Sequence, residues 1–199
     1  MRLLLAFDTE TTGLPLWDQP SSDPGQPHIV QLAASLVDID TRETVASIDL
    51  IVKPDGWVIP QETIDVHGVT NEIANAVGIS EFLVINTFVE MWKKAEFRLG
   101  HNESFDARMV RIGLKRFEYG DEFADAFKAA PSRCSCVEAT PICKVPFAGK
   151  KAGFKKPKLG EAYKFFTGQE LEGAHRASID VAACLTVFWG IEDHNAKKA

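Results

Sequence analysis

The residues best suited to chemistry in this 199-residue chain are acids. Asp8 and Glu10 close the apolar run Leu3 to Phe7, and Thr11-Thr12-Gly13 ends it. An apolar run of this length reads as a strand buried on both faces. Residues two apart on a strand point the same way, so both carboxylates share one side. With no Lys or Arg nearby, such a pair suits a hard divalent cation. A strand that runs into solvent with two surface acids explains the pair equally well, so the rest of the chain must decide.

Two later stretches also place acids where burial or crowding is expected. Asp106 follows Gly100-His101-Asn102 and Phe105 at the start of a helix, where a first-turn Asp also favours the helix dipole. His175 and Asp180 open the final helix. On a continuous helix they would lie about 140° apart. They share a site only if His175 precedes the helix and swings in from a loop, which Gly173 and Ala174 allow. An exposed His beside a dipole-favoured Asp accounts for that stretch taken alone.

The elements that must position these residues follow from pattern. After the first strand, Pro15 to Pro27 is rich in proline and turn formers and reads as a loop. Its length makes it either disordered or functional. Ile29 to Val37 and Thr44 to Val52 read as two strands joined in a hairpin by residues 38–43. Pro60 to His67 reads as a helical turn closed by Gly68. Ile85, Phe88, Val89 and Trp92 recur at helical spacing. Phe97 to Gly100 is a short strand, and Ala107 to Phe117 is helical with Ser104 as its N-cap. Cys134 to Val137 reads as a short strand, followed by a helical turn to Cys143. Leu159 to Phe166 forms a helix closed by Gly168. A last helix carries Val181, Cys184, Leu185 and Phe188, with Ser178 as its N-cap. This order implies an α/β domain with one central mixed sheet and helices on its faces, its site at the strand ends. The expected organisation is a single domain over 1–194, with an insertion loop at 15–27, a basic loop at 144–158 and a frayed tail at 195–199.

Composition bounds the function. Hydrophobic residues make up 45% and charged residues 25%, which suits one globular domain with a real core. No apolar run approaches the roughly 20 residues of a membrane span, and no signal peptide is apparent. The expected location is the cytoplasm. The four cysteines form no disulfide framework, and Cys134-x-Cys136 lacks zinc-knuckle spacing. A net charge of −6 argues against a protein that simply coats nucleic acid. Yet residues 141–160 hold no acid while carrying Lys144, Lys150, Lys151, Lys155, Lys156 and Lys158.

The acids gain meaning from their order. Phe7-Asp8-Thr9-Glu10-Thr11-Thr12-Gly13, then His101-Asn102-Glu103-Ser104-Phe105-Asp106, then His175-Arg176-Ala177-Ser178-Ile179-Asp180 resemble the motifs of the DEDDh exonucleases. That family includes the proofreading subunit of bacterial replicative DNA polymerase, ribonuclease T and oligoribonuclease. Glu62 to Thr70 resembles the proofreading family's intervening segment. The resemblance spans residues 7–180 and implies a ribonuclease H-like fold. It implies two Mg²⁺ or Mn²⁺ ions held by four carboxylates. Asp8 would bridge both ions, Glu10 and Asp180 complete the first, and Asp106 serve the second. His175 would be the general base, a role suited to imidazole, which ordinarily titrates at about 6.5. Nucleoside 5′-monophosphates would leave a 3′ end one at a time.

By the same resemblance Thr11, Thr12 and Leu14 line the terminal nucleotide pocket and Phe105 supports a base or sugar. Glu62 and His67 touch the last nucleotide, and a carboxylate on the 3′-hydroxyl would favour free ends. The expected substrate is single-stranded nucleic acid, DNA before RNA. The alternatives are an exoribonuclease of the ribonuclease T or oligoribonuclease type, or an inactive nuclease-like binding subunit. No polymerase or replication partner and no oligomeric state is legible. Two departures from the proofreading subunit, the 15–27 loop and the lysine stretch, suggest that Trp17 stacks on a base and the lysines track phosphates. A solvated lysine face and a disordered loop are the plain alternative.

Overall fold

The structure, a computed structural model, describes residues 1–149 and 152–198. Lys150 and Lys151 of the basic stretch lie outside the described residues. The sheet has five strands in the order β3-β2-β1-β4-β5. β1 (Leu3–Thr11) pairs antiparallel with β2 (Ile29–Asp38), which pairs antiparallel with β3 (Thr44–Ile51). On its other side β1 runs parallel to β4 (Phe97–Gly100), which runs parallel to β5 (Ser132–Cys134). The expected mixed sheet is therefore present, with β1 at its centre.

Alternation along β1 sorts the core into two layers. Leu5 and Phe7 pack with α3 (Glu81–Trp92) and α4 (Glu103–Arg116) on one face. Leu4 and Ala6 pack under α8 (Ala177–Ala196) on the other. The same alternation sends Asp8 and Glu10 towards α8 and Thr9 towards α4. Because β4 is parallel to β1, the helix that follows it starts at the same sheet end where β1 finishes. Both acid-bearing helix starts thus meet the strand's acids.

Several boundaries differ from expectation. α4 starts at Glu103, not Ala107, and its N-cap is Asn102 in the left-handed region (φ 72°), with Ser104 already inside the helix. Glu103 is buried against Arg98, a pairing that a periodicity search for apolar residues does not register. α8 starts at Ala177 with Arg176 at the cap, so Ser178 also lies inside its helix. α8 runs on to Ala196, into the stretch read as tail. The strand expected at 134–137 is β5, two residues earlier, and Cys134 hands over to α6 (Ser135–Cys143). α1 (Gln61–His67) and α7 (Leu159–Thr167) match their expected positions, each closed by a left-handed glycine, Gly68 and Gly168. Two helices had no expectation: α2 (Asn71–Val77), which buries only Ala74, and α5 (Asp121–Ala129), which buries Ala124 and Phe127.

The proline-rich loop is tied down. Gln26 is buried, and its side-chain amide bonds the backbone of Leu16 in both directions and the Pro20 carbonyl. Arg116 donates to the carbonyls of Gln26 and Pro27, both at 3.0 Å. Arg108 donates to the carbonyls of Leu16 and Gln19. Disorder is not the loop's state, because a buried amide and these two arginines hold its backbone. Among the described residues no helix is long and apolar enough to cross a membrane.

Candidate active site

The end of β1 carries the first two acids, and a register shift between Glu10 and Thr11 breaks its pairing with β2 there. Such an irregularity turns the strand end and re-aims its side chains. Asp180, in the first turn of α8, lies on the same side as Asp8 and Glu10. Asp106, in the first turn of α4, arrives from the other side and is held by Thr9. The Thr9 backbone N–H and hydroxyl both donate to Asp106 Oδ1, at 2.9 and 2.8 Å.

These four acids are crowded, Glu10, Asp106 and Asp180 buried and Asp8 half-buried. Burial, then the charges of Asp106, Asp180 and Glu10, hold the Asp8 carboxyl well above its usual range. Burial and the Asp180 charge push Glu10 up to about 7. Burial raises Asp106 to about 7 against the lowering effect of its bonds from Thr9. Asp180 is raised by burial too, partly offset by the backbone and charge of His175. The other buried glutamates are neutralised: Glu81 bonds Arg116 at 2.9 and 3.1 Å and His28 at 2.8 Å, and Glu103 pairs with Arg98. Among the described residues no Lys or Arg forms an ion pair with any of the four.

His175 lies just outside α8, with φ 67°, as the spacing argument required. Its N–H donates to Asp180 Oδ2 at 3.0 Å, while its side chain is exposed. Ligand atoms of Glu10, His175 and Asp180 lie within 4.8 Å of one another. Asp180 Oδ1 is buried and has no hydrogen-bond partner. An orphaned carboxylate oxygen among raised acids, with no cation beside it, fits a divalent metal ion.

The expected substrate residues divide. His67 is brought in: it is buried, its Nδ1 accepts from the Val69 N–H, and its Nε2 has no partner. Burial lowers its pKa, opposed by the Thr11 backbone at the end of β1. It lines a cavity of about 250 Å³ with Gln31, Asp49, Arg176 and Ser178. The Thr11 and Thr12 hydroxyls shape the turn, Thr11 Oγ1 donating to the Gly13 carbonyl and Thr12 Oγ1 accepting from the His28 N–H. Glu62 and Leu14 are exposed, on α1 and on the turn after β1. Phe105 is half-buried against the α3/α4 core. In the basic stretch Lys155 is tied to Glu161 at 2.8 Å.

Thr9 is the site residue that sequence reading missed. Its signal was present: in Asp8-Thr9-Glu10 the middle residue must face the opposite layer, and Asp106 is the acid expected there.

A mixed sheet with acids gathered at one end from a central strand and two helix starts defines an α/β domain of the ribonuclease H-like class. The RNase T exonuclease family model matches residues 5–188. The chain belongs to that exonuclease family, in its DEDDh 3′–5′ branch. It is 24% identical over 193 residues to DNA polymerase III subunit epsilon of Treponema pallidum (strain Nichols), covering 97% of this chain and 78% of that protein. The fold also superposes on E. coli exonuclease I. The form in complex with a dT13 oligonucleotide gives a TM-score of 0.76 at 19% identity, over 99% of this chain and 42% of that one. The zinc-bound complex with single-stranded DNA likewise gives 0.76 at 19% identity, over 99% and 42%. This chain therefore spans less than half the length of those solved structures.

Proposed function

We propose that this chain is a metal-dependent 3′–5′ exonuclease that hydrolyses single-stranded DNA, or frayed 3′ ends, to nucleoside 5′-monophosphates, residues 1–194 acting as one domain. The observation that carries it is a set of four acids without a cation, Glu10, Asp106 and Asp180 buried and Asp8 half-buried, in a chain that neutralises its other buried glutamates. Asp8, Glu10, Asp106 and Asp180 would hold two Mg²⁺ or Mn²⁺ ions, which supply Lewis-acid activation of water and neutralise charge on the leaving oxygen. Thr9 fixes the orientation of Asp106, so that its second oxygen stays available. Asp180 accepts the His175 N–H and so anchors the loop, while the exposed imidazole is free to take the proton of the attacking water. Thr11, Thr12, Leu14, Glu62 and His67, whose Nε2 has no hydrogen-bond partner, would receive the terminal nucleotide on the β2/β3 side, with Phe105 supporting it from α4. Glu62 would bond its 3′-hydroxyl and so select chain ends.

The likeness to exonuclease I bound to a dT13 oligonucleotide supports DNA as substrate. The experiment is incubation of pure protein with 5′-labelled single-stranded DNA and RNA, with Mg²⁺, Mn²⁺ or EDTA. Stepwise shortening of DNA with either metal and none in EDTA is expected. Faster shortening of RNA would assign the exoribonuclease reading instead. No shortening of either strand would leave only a binding subunit.

A further inference from the structure

The mechanism above leaves a charged cavity unused. On α4, Ser104, Arg108 and Arg111 fall at helical spacing on one stripe, turned away from the core face of Met109, Val110 and Gly113. That stripe walls a cavity of about 380 Å³, closed by Trp17 from the 15–27 loop and by Lys128 at the end of α5, over a floor of Arg98 and Glu103.

The charges in it do not cancel. Arg98 is neutralised by Glu103, and Arg111 pairs with Asp125 at 2.6 Å. Arg108 donates only to loop carbonyls, those of Leu16 and Gln19. Lys128 is exposed and pairs with no carboxylate among the described residues. The Nε atoms of Arg108 and Arg111 are both buried without a hydrogen-bond partner. Two unused buried guanidinium donors beside a surplus of positive charge call for an anion. Trp17 is 56% exposed, with its ring 5.9 Å from the Arg108 guanidinium. An open aromatic plane next to phosphate donors is the combination that holds a single strand.

Topology says which part of the strand. The His67 cavity is lined from β2 and β3, through Gln31 and Asp49. The Arg108 cavity is lined from β4 and β5, through Arg98 and Ser132. β1, with Asp8 and Glu10, lies between them in the sheet. A terminal nucleotide on the β2/β3 side leaves the β4/β5 side, on the α4 face of the sheet, for the chain leading to it. Ser104, like Asp106, lies in the first turn of α4, the helix that carries one of the reactive acids.

We propose that this cavity binds a nucleotide unit upstream of the scissile bond, its base on Trp17 and its phosphate on Arg108, Arg111 and Lys128. The proposal rests on the exonuclease reading above and adds a grip that depends on strand length. It places the phosphate track on α4 and α5, not on the lysine stretch at 144–158.

The test compares kcat/KM for a thymidine decamer with that for the dinucleotide. Trp17 and Lys128 are exposed, so Trp17→Ala and Lys128→Gln can be made without opening the core. Trp17→Ala should lower the decamer-to-dinucleotide ratio about tenfold, with Trp17→Phe restoring it. Lys128→Gln should lower the same ratio and reduce the salt slope on the decamer by about one charge. Wild-type ratios in all three variants, in an enzyme that cleaves both substrates, overturn the proposal and leave the exonuclease reading intact. A wild-type protein that cleaves neither substrate overturns the exonuclease reading and the proposal with it.

Discussion

Glu10→Gln turns the electrostatic strain of the site into a measurable stability difference. Glu10 is buried on β1, and burial followed by the Asp180 charge raises it from 4.5 to about 7. A raised acid stabilises the folded state through its bound proton. That stability is full below the unfolded value and is lost as pH rises through about 7. Glutamine does not titrate, so in EDTA the variant gains on the wild type as pH rises. Between about pH 5 and pH 8 the gap should widen by roughly 2–3 kcal/mol, at about 1.36 kcal/mol for each pH unit over which the two states differ. For a chain of this length that is roughly 5–10 °C in Tm. Loss of the Glu10 charge also relieves Asp8 and Asp106, with the same sign. Burial lowers His67 and His101, which favours the folded state as pH rises, but both proteins carry them and the difference removes them. Adding Mn²⁺ at the upper pH should raise the wild-type Tm well above any rise in the variant. Thermal melts across pH decide the matter. Curves that stay parallel in EDTA, with no metal-dependent rise, would refute both the buried charge cluster and its use for metal.

Asp8→Ala and Asp180→Ala should abolish cleavage, and His175→Ala should slow it about 10²–10⁴-fold, read from single-turnover rates. Thr9→Val removes the hydroxyl bond to Asp106 but keeps the N–H bond; kcat should fall about tenfold and the metal requirement rise, and an unchanged metal titration would count against Thr9 as a positioning residue. A hydrogen bond from Cys136, whose sulfur is 3.4 Å away, brings Cys134 down to about 5, whereas burial raises Cys143 and Cys184. Iodoacetamide at about pH 6 should therefore label Cys134 first, and peptide mass spectrometry showing Cys143 ahead of it would contradict that arrangement.

What the sequence disclosed follows the range of the forces involved. β1 and β2 are legible as near-continuous apolar runs, and α3 and α8 because they bury apolar residues at helical spacing. α4 is legible only from Ala107 on. Its first turn is held by a buried Arg98–Glu103 pair and a left-handed Asn102, neither of which has an apolar signature. α2 escapes because it buries only Ala74 and draws its start from Thr70, whose hydroxyl accepts the Ile73 N–H. The 15–27 loop is the reverse case, without a regular apolar pattern yet fixed by the buried amide of Gln26 from within and by Arg108 and Arg116 from α4.

The four candidate acids show why order was more informative than local context. Asp106 and Asp180 each occupy a first helical turn, where an acid favours the dipole regardless of function, and no window around either residue separates the two causes. The separation comes from what surrounds them in space. A dipole-serving acid is solvated and keeps a low pKa, whereas Asp106 is buried, raised to about 7, and held by Thr9 from a strand 97 residues away in the chain. A fold that places Arg98 against Glu103 and Arg116 against Glu81 has cations to spend on buried acids. Leaving Asp8, Glu10, Asp106 and Asp180 without one keeps the folded state poorer in stability at neutral pH until a divalent ion arrives. Metal affinity and protonation therefore compete at the same four oxygen pairs, and activity should rise with pH through about 7 as the protons on Glu10 and Asp106 are displaced.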